Sequence, residues 1–283
     1  NEFLGANIIM QENDYAWSRP IELPKARLLD TLRKIDVTQR LRESTLYRQF
    51  QEMKKLTAGM THEGRPVEVA IHMCWSHGVF TKAAEIRGLE QMCVDLVDDP
   101  PFARDLFDTV TDLLTARMLT WHDLLGTGRK YPAEGGWGMA DDSIAMISSG
   151  HYEEFVLPCH RRMYAQMTTG IRSMHLCGRA QHLFKTLHDS LGITVFNGPG
   201  PQVVDLPRLI ADVGAPIVIE AEIAHSTLLG TPEAIEQEVR TTLQDEVKER
   251  AKMTLVGYVP AATPLANLAH FYECGLRYGQ LKS

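Results

Sequence analysis

The chain has 283 residues, of which 44% are hydrophobic, so it can bury a full core in one large domain or two small ones. Its 36 acidic residues outnumber its 29 basic ones, and this balance gives no electrostatic footprint for nucleic acid or an anionic membrane. No apolar run approaches the ~20 residues of a membrane-spanning helix, and the opening residues lack the layout of a signal peptide. We therefore expect a cytoplasmic protein.

The cysteines bear on the redox compartment. They are Cys74, Cys93, Cys159, Cys177 and Cys274. Their number is odd and they form no Cys-x-x-Cys pair, which favours reduced thiols over a disulfide framework.

The amino-terminal half contains the less regular elements. A strand is predicted over residues 4–10, and because no element precedes it, we expect the fold to lack its amino-terminal segment. Residues 27–56 are charged and favour helix, and residues 67–74 read as a second strand. Apolar side chains recur at helical spacing over residues 101–125, and a strand is predicted over residues 135–140.

The carboxyl-terminal half alternates strand and helix more clearly. Strands are predicted over residues 171–176, 193–196, 216–219 and 253–258, and helices over residues 151–168, 180–191, 206–213, 231–252 and 263–278. Pro158 should kink or interrupt the first of these helices. Thr231 is a good N-cap, and Pro232 suits a first helical turn. Short strands that are apolar on both faces and alternate with helices predict a parallel sheet covered by helices.

This alternation predicts the α/β class and a (β/α)8 TIM barrel that lacks its amino-terminal segment, as one barrel domain over residues 1–283. We count about seven strands, one short of the eight in a closed barrel, and a missing first unit would explain the difference. A doubly wound sheet is the competing architecture. No Gly-x-Gly-x-x-Gly motif follows the first strand, so a dinucleotide site has no support.

A pair of metal-ligand residues ends the strand predicted over residues 171–176. His175 and Cys177 are two residues apart, so their side chains would project from one face of a strand. Zinc accepts imidazole and thiolate, and a catalytic zinc usually has three protein ligands and one open position. The alternative is a hydrogen-bonded core histidine beside a small buried thiol.

Further candidates follow from the position of active sites in α/β barrels, at the carboxyl ends of the strands. The polar residues at those positions are Glu12, Asp14, Cys74 to His77, Asp141, Asp142, His175, Cys177, Asn197, Glu220, Glu222, His225 and Tyr258. Each has a plainer alternative: Glu220 could pair with a lysine or arginine, His77 could be structural, and Asp142 could cap the turn into Ser143.

Several short motifs occur in a defined order and spacing over nearly the whole chain. They are Gly78-Val79-Phe80-Thr81 with Arg87-Gly88, Tyr152-Glu153-Glu154-Phe155 with Pro158, His175-x-Cys177-Gly178, Leu229-Gly230-Thr231-Pro232-Glu233, and Ala262-Thr263-Pro264-x-x-Asn267. Together they resemble the motifs of the uroporphyrinogen decarboxylase superfamily. Within the superfamily, the chain is more similar to the corrinoid-linked methyltransferases than to the decarboxylase. The resemblance implies the (β/α)8 barrel and a homodimer.

The resemblance also implies a zinc-dependent methyltransferase that moves a methyl group between a small methylated substrate or acceptor and a corrinoid cofactor, with O-demethylation as one form. The corrinoid would be carried on a partner protein. Zinc would be held by His175, Cys177 and a third ligand, Glu222 or else Asp141 or Glu220. The other roles assigned are catalysis for Glu222, Asp142, Tyr258 and Glu12, cofactor binding for Trp75, His77 and Asn197, and orientation of the imidazole for His225 or Asp142.

The alternative within the superfamily is uroporphyrinogen decarboxylase itself, which acts without a cofactor in tetrapyrrole (haem) biosynthesis. The chain has no counterpart of its Arg-Gln-Ala-Gly-Arg segment, and the essential aspartate would fall near Glu12. A departure from the zinc methyltransferases is Val256-Gly257-Tyr258, which lacks the second cysteine that they carry before the final Thr-Pro. A third possibility is a barrel kept for binding or assembly alone.

Overall fold

The structure is a computed structural model that describes residues 2–9, 17–70, 75–214 and 216–281. The candidates Glu12, Asp14 and Cys74 lie outside the described residues, and so does the side chain of Trp75. Backbone contacts group the chain into two compact units. The first unit comprises Asn1–Ala133 and His151–Met167, and the second comprises Glu134–Gly150 and Thr168–Ser283.

The first unit is mostly helical. Its α-helices span Lys25–Arg33, Val37–Arg42, Thr45–Leu56, Val79–Arg87, Leu89–Asp98, Pro100–Leu124 and Leu157–Met167, with a 3-10 turn at Glu2–Leu4 and a π-helix at Tyr152–Val156. Its strands are β1 (Asn7–Ile9) antiparallel to β2 (Trp17–Arg19), β3 (Thr61–His62) antiparallel to β4 (Arg65–Pro66), and β5 (Trp75–His77). None of the helices in the described part of the chain is long and apolar enough to cross a membrane.

The long helix Pro100–Leu124 begins where the sequence predicts. The side chain of Asp99 accepts a hydrogen bond from the backbone N–H of Phe102 at 3.3 Å and caps the first turn. Two prolines occupy the first positions, where a missing N–H costs nothing. The face that the apolar spacing predicts is buried, and it includes Phe102, Leu106, Phe107, Val110 and Leu114.

A buried carboxylate links several helices of this unit. Asp95, only 1% exposed, accepts hydrogen bonds from Arg87 Nε at 2.7 Å and Gln91 Nε2 at 3.2 Å. Lys25 Nζ lies 2.8 Å from Asp95 Oδ1 and donates to Asp99 Oδ2 at 2.9 Å. Burial alone would raise the pKa of Asp95, but these hydrogen bonds outweigh it and lower the pKa.

The second unit contains a sheet of five parallel strands. In chain order they are β6 (Trp137–Ala140), β7 (Arg172–His175), β8 (Ile193–Asn197), β9 (Val218–Ile223) and β10 (Lys252–Gly257), each hydrogen-bonded to the next. The helical segments between and after them are Asp142–Met146 (3-10), Ser149–His151, Phe184–Leu191, Leu206–Val213, His225–Leu228, Pro232–Thr242, Asp245–Lys248 and Leu265–Tyr278. The predicted α/β class with parallel strands is confirmed, whereas barrel closure and a single domain over 1–283 stay predictions.

One set of register partners across four strands of this sheet brings the side chains of the site together. Ala140, His175, Asn197 and Glu220 are register partners across β6, β7, β8 and β9. Register partners on adjacent strands project their side chains from the same face. The imidazole of His175, the amide of Asn197 and the carboxylate of Glu220 therefore stand side by side.

Several sequence predictions need correction. The strand predicted over 4–10 covers only Asn7–Ile9, and a 3-10 turn spans Glu2–Leu4 ahead of it. Residues 67–70 of the strand predicted over 67–74 are not in a strand, and residues 71–74 lie outside the described part. The helix predicted over 231–252 ends at Thr242, and a separate turn spans Asp245–Lys248. Strand β9 runs to Ile223, so Glu220 and Glu222 lie within it, because its backbone pairs with β10 that far.

The interruption that Pro158 predicts is confirmed. A π-helix over Tyr152–Val156 immediately precedes the regular helix Leu157–Met167. Proline has no N–H to donate and its ring crowds the carbonyl one turn earlier, so the turn before it widens.

Candidate metal centre

His175 is the last residue of strand β7, and two consecutive hydrogen bonds through Asn197 to Glu220 hold its ring. We call this hydrogen-bonded chain the relay. The Nδ1 atom of His175 is hydrogen-bonded to Asn197 Oδ1, and Asn197 Nδ2 donates to Glu220 Oε2 at 2.7 Å. Because the carboxylate of Glu220 takes the amide donor, the amide oxygen faces the imidazole and can only accept. Nδ1 of His175 therefore carries a hydrogen, and in the neutral imidazole Nε2 has the lone pair that a metal ion needs.

Asp142 lies just past strand β6, at the start of a 3-10 turn, and brings a carboxylate to the imidazole. Asp142 Oδ1 accepts from the backbone N–H of Cys177 at 2.8 Å and from its Sγ at 3.2 Å, and it lies 3.7 Å from His175 Nε2. One donor atom from each of the three residues lies within 4.8 Å of the others. We call Asp142, His175 and Cys177 the Asp142 cluster, and its nitrogen, sulfur and oxygen atoms are all zinc ligands.

Glu222 adds a second carboxylate to the same face of the sheet. It lies two residues beyond Glu220 on strand β9 and is 8% exposed. Its Oε1 is 3.2 Å from His225 Nε2, whereas its buried Oε2 has no hydrogen-bond partner among the described residues. Burial raises the pKa of Glu222, although the nearby His175 and His225 oppose that rise. A buried oxygen without a partner is an available acceptor for a proton or a cation.

The electrostatic field in this region is negative. Burial raises the pKa of the Cys177 thiol to about 12, with further contributions from Asp142 and Glu222. The pKa of Tyr258 is raised by burial and then by Glu222 and Glu220. A bound cation reverses such effects, because a metal deprotonates the thiol that coordinates it. The donor set, its fixed imidazole and its surplus negative charge therefore fit a zinc ion.

Two glycines after strand β8 let the backbone approach the site. At Gly198, where φ is +98°, a Cβ would lie 2.9 Å from His175 Cε1, so only glycine lets the chain pass beside the ring. A Cβ on Gly200 would lie 2.1 Å from the backbone oxygen of Glu222 and 2.4 Å from Gln202 Oε1. The Asn-Gly-Pro-Gly sequence thus packs against both His175 and Glu222.

Tyr258 follows strand β10 and forms one wall of the site. Its ring centroid lies 6.5 Å from that of His175 and 6.1 Å from that of His225, with the rings edge to face in both pairs. The residue is 47% exposed. It therefore contacts the histidines on one side and solvent on the other.

The structure brings together most of the residues that the sequence singles out. Asp142, His175, Cys177, Asn197, Glu220, Glu222, His225 and Tyr258 all lie in the second unit and are linked by the contacts above. Trp75 and His77 belong to the first unit, where His77 lines a cavity of about 310 Å³ with Arg117 and Trp121.

The partners within the site differ from those expected. Asn197, rather than His225, hydrogen-bonds His175 Nδ1, while His225 pairs with Glu222. Glu220 pairs with the amide of Asn197 rather than with a lysine or arginine. The packing role of Gly198 and Gly200 was missed by sequence reasoning, although a glycine pair directly after a strand is a signal for close backbone approach.

Comparison with known proteins places this site within a family. The sequence profile of the uroporphyrinogen decarboxylase (URO-D) family matches residues 132–278, just over half of the chain. The chain belongs to the uroporphyrinogen decarboxylase family. The matched range includes every residue of the site, from Asp142 to Tyr258, and confirms the family predicted from the sequence motifs.

Among curated proteins, the chain is similar to the methylated-thiol--coenzyme M methyltransferase of Methanosarcina mazei, at 28% identity over 193 residues. The alignment covers 67% of this chain and 48% of that protein, so the chain spans about half the length of its relative. Among solved structures, it is similar to a methyltransferase from Methanosarcina mazei with a TM-score of 0.61 and 15% identity, over 99% of this chain and 77% of that one. This second likeness concerns the fold alone. The coenzyme M methyltransferase is consistent with the corrinoid-linked branch of the superfamily.

The close approach at Gly200 gives a testable prediction. We expect Gly200→Ala to destabilise the protein by ~1–3 kcal/mol and to weaken metal binding, because the added methyl group must displace the Glu222 backbone. Urea unfolding and zinc titration measure the two effects. Gly150→Ala is the matched control, since the nearest atom to its Cβ is Ser148 Oγ at 3.9 Å. Equal stability of the two variants would contradict the packing argument.

Proposed function

We propose that this URO-D family member is a zinc-dependent methyltransferase that moves a methyl group between a small methylated substrate and a corrinoid carried by a partner protein. The observation that carries the proposal is the Asp142 cluster, in which an imidazole already oriented for coordination stands beside a thiol and a carboxylate. The name of the Methanosarcina mazei relative supports a thiol as the group that carries or receives the methyl.

The metal would be held by His175 Nε2 and Cys177 Sγ, with the Asp142 carboxylate nearest to both and the free Oε2 of Glu222 as a further donor. When bound there, zinc supplies Lewis acidity, which lowers the pKa of a thiol or alcohol in its open position and stabilises the resulting anion. The Cys177 thiolate and the two carboxylates would together offset the charge of the ion.

The residues around the ligands orient groups and handle a proton. Asn197 holds the imidazole of His175, and Glu220 in turn holds the amide of Asn197, so the relay fixes the direction of Nε2. Where Asp142 is the third metal ligand, the buried Glu222 Oε2 stays free to accept the proton of an incoming thiol, and burial raises the pKa of this carboxylate, which favours that step. Tyr258 provides an apolar wall for a small substrate at the solvent side.

The same charges argue against the decarboxylase alternative. A porphyrinogen carries many carboxylates and needs cationic side chains to bind them. Here Asp142, Glu220 and Glu222 place three carboxylates in the site, and after burial they contribute to the raised pKa values of Cys177 and Tyr258. An acidic substrate would be repelled, whereas a metal cation and a neutral methylated thiol would not.

The experiment measures metal content and methyl transfer together. Protein purified without added zinc is analysed for metal, and transfer from methylcobalamin to a thiol is followed by the cobalamin absorbance. We expect bound zinc and transfer in the wild type, and in Cys177→Ser a loss of about one zinc per chain and of activity. Cys93→Ser, on a partly exposed cysteine of the first unit, is the control. Zinc binding without any methyl transfer would refute the mechanism, and no zinc in the wild type would refute the site.

The relay gives a further prediction. We expect Asn197→Leu to lower zinc affinity by ~10–100-fold, because the imidazole loses its outer hydrogen bond while the side-chain volume stays similar. A chelator competition titration measures the affinity, and the ring nitrogen shifts of His175 report its tautomer. Thr194→Val, three residues earlier on β8 and outside the hydrogen bonds of the relay, is the control. Unchanged affinity and an unchanged tautomer in Asn197→Leu would contradict the positioning role.

A further inference from the structure

A second group of metal-donor side chains lies in the same unit, on two helices rather than on the sheet. His270 and Cys274 are four residues apart on the helix Leu265–Tyr278, so they share a face, and Cys274 Sγ lies 3.5 Å from His270 Nε2. Glu236 on the helix Pro232–Thr242 completes the group. One donor atom from each residue lies within 4.8 Å of the others. We call Glu236, His270 and Cys274 the Glu236 cluster.

The surroundings of the Glu236 cluster hold its donors in place. Cys274 is 1% exposed and belongs to the apolar cluster in which Ile235 and Val239 are buried. The carboxylate of Glu236 accepts a hydrogen bond from the Tyr278 hydroxyl and lies 3.7 Å from Arg277 Nη1, and its side chain is partly exposed. Both of these contacts use Oε1, so the second carboxylate oxygen is available to a cation. The buried thiol and the partly exposed carboxylate give the cluster one side in the core and one toward solvent.

We propose that the Glu236 cluster binds a zinc-type divalent cation that clips the last helix of the chain to the helix Pro232–Thr242. Glu236 supplies oxygen, His270 Nε2 supplies nitrogen and Cys274 supplies sulfur, a mixed set that suits zinc better than magnesium or calcium. On binding, the Cys274 S–H bond breaks, its proton passes to solvent and a metal–sulfur bond forms. The charges of one thiolate and one carboxylate then balance the ion.

Two features of the structure support an ion rather than a simple thiol–imidazole contact. A hydrogen bond between His270 and Cys274 needs no carboxylate, yet Glu236 is held beside them from another helix by Tyr278. The His-x-x-x-Cys spacing on a helix is also the geometry in which two ligands one turn apart meet the same ion. The ion would add a cross-link between two helices that already share an apolar cluster and the hydrogen bond from Tyr278 to Glu236.

The test uses the full chain carrying Cys177→Ser, so that the Asp142 cluster is already disabled. Metal-free protein is titrated with Co²⁺ and with Zn²⁺, and thermal unfolding is followed. We expect about one ion per chain, a thiolate-to-cobalt absorption band, and a higher Tm with zinc. Adding His270→Ala should remove all three signals. His188→Ala, on a helix of the same unit outside the cluster, should leave them intact.

The outcomes separate this proposal from the proposed function. Because Cys274 is buried, Cys274→Ser could fail to fold, so His270→Ala and Glu236→Gln carry the test at partly exposed positions. The proposal is overturned if the Cys177→Ser protein binds no ion, or if its ion persists unchanged in His270→Ala. Absence of methyl transfer in the wild type would leave this result untouched, because the readout is binding and stability alone.

Discussion

His175→Ala is expected to lower zinc affinity at the Asp142 cluster by more than the ~100-fold upper range for loss of an outer hydrogen bond. Methyl transfer should fall in parallel. The reason is that the change removes a donor atom that the structure has already oriented: Asn197 fixes the ring from Nδ1, and Nε2 faces Asp142 at 3.7 Å. Chelator competition measures the affinity, and the methylcobalamin assay measures the transfer.

His182→Ala is the control for this change. His182 lies in the same unit, where its Nε2 contacts the backbone oxygen of Ile147 at 2.9 Å, outside the Asp142 cluster. It should keep both zinc and activity. Retention of full zinc affinity in His175→Ala, with the fold intact by circular dichroism, would show that the imidazole is not a ligand.

Asp95→Asn is expected to destabilise the protein by ~3–5 kcal/mol, the usual cost of removing one partner from a buried ion pair. Asp95 is 1% exposed and takes hydrogen bonds from Arg87 and Gln91, with Lys25 at 2.8 Å. The neutral amide would leave two cations without their shared partner. Urea unfolding at neutral pH measures the change.

The same carboxylate should make stability depend on pH. Its folded pKa is lowered, so its stabilising contribution is present above the unfolded value of about 3.9 and is lost as pH falls through the lower folded value. Asp95→Asn should therefore flatten the acid limb of the stability curve. Asp30→Asn, at an exposed pair with Lys34, is the control and should cost less than ~1 kcal/mol. Similar losses for the two variants would contradict the role given to Asp95.

Much of the candidate site could be predicted from sequence, because strand ends are readable from apolar runs. His175 and Cys177 follow one such run and Asn197 another, and the strands there end where expected. The pairing could not be predicted, since it depends on register between strands far apart in the chain. Only the structure shows that Asn197 lies beside His175 and that Glu220 lies beside Asn197.

In the fold, too, features set by neighbouring residues could be predicted from the sequence, whereas features set by tertiary contacts could not. The cap at Thr231 and the prolines before Phe102 are local signals, and the helices begin there. The early end of the helix at Thr242 depends on tertiary packing, because the sequence after it still permits helix. Valine and glutamate alternate over residues 67–69, yet residues 67–70 form no strand, because strand pairing and burial decide such segments rather than propensity.

The shared row of His175, Asn197 and Glu220 limits where this protein can accept insertions and deletions. Side chains alternate between the two faces of a strand, so one residue inserted ahead of any of the three within its strand would turn that side chain to the opposite face. Length changes should therefore be confined to the connecting helices and loops. Among functional relatives, we expect the spacing from the start of each strand to its site residue to be invariant, even where the sequences have otherwise diverged.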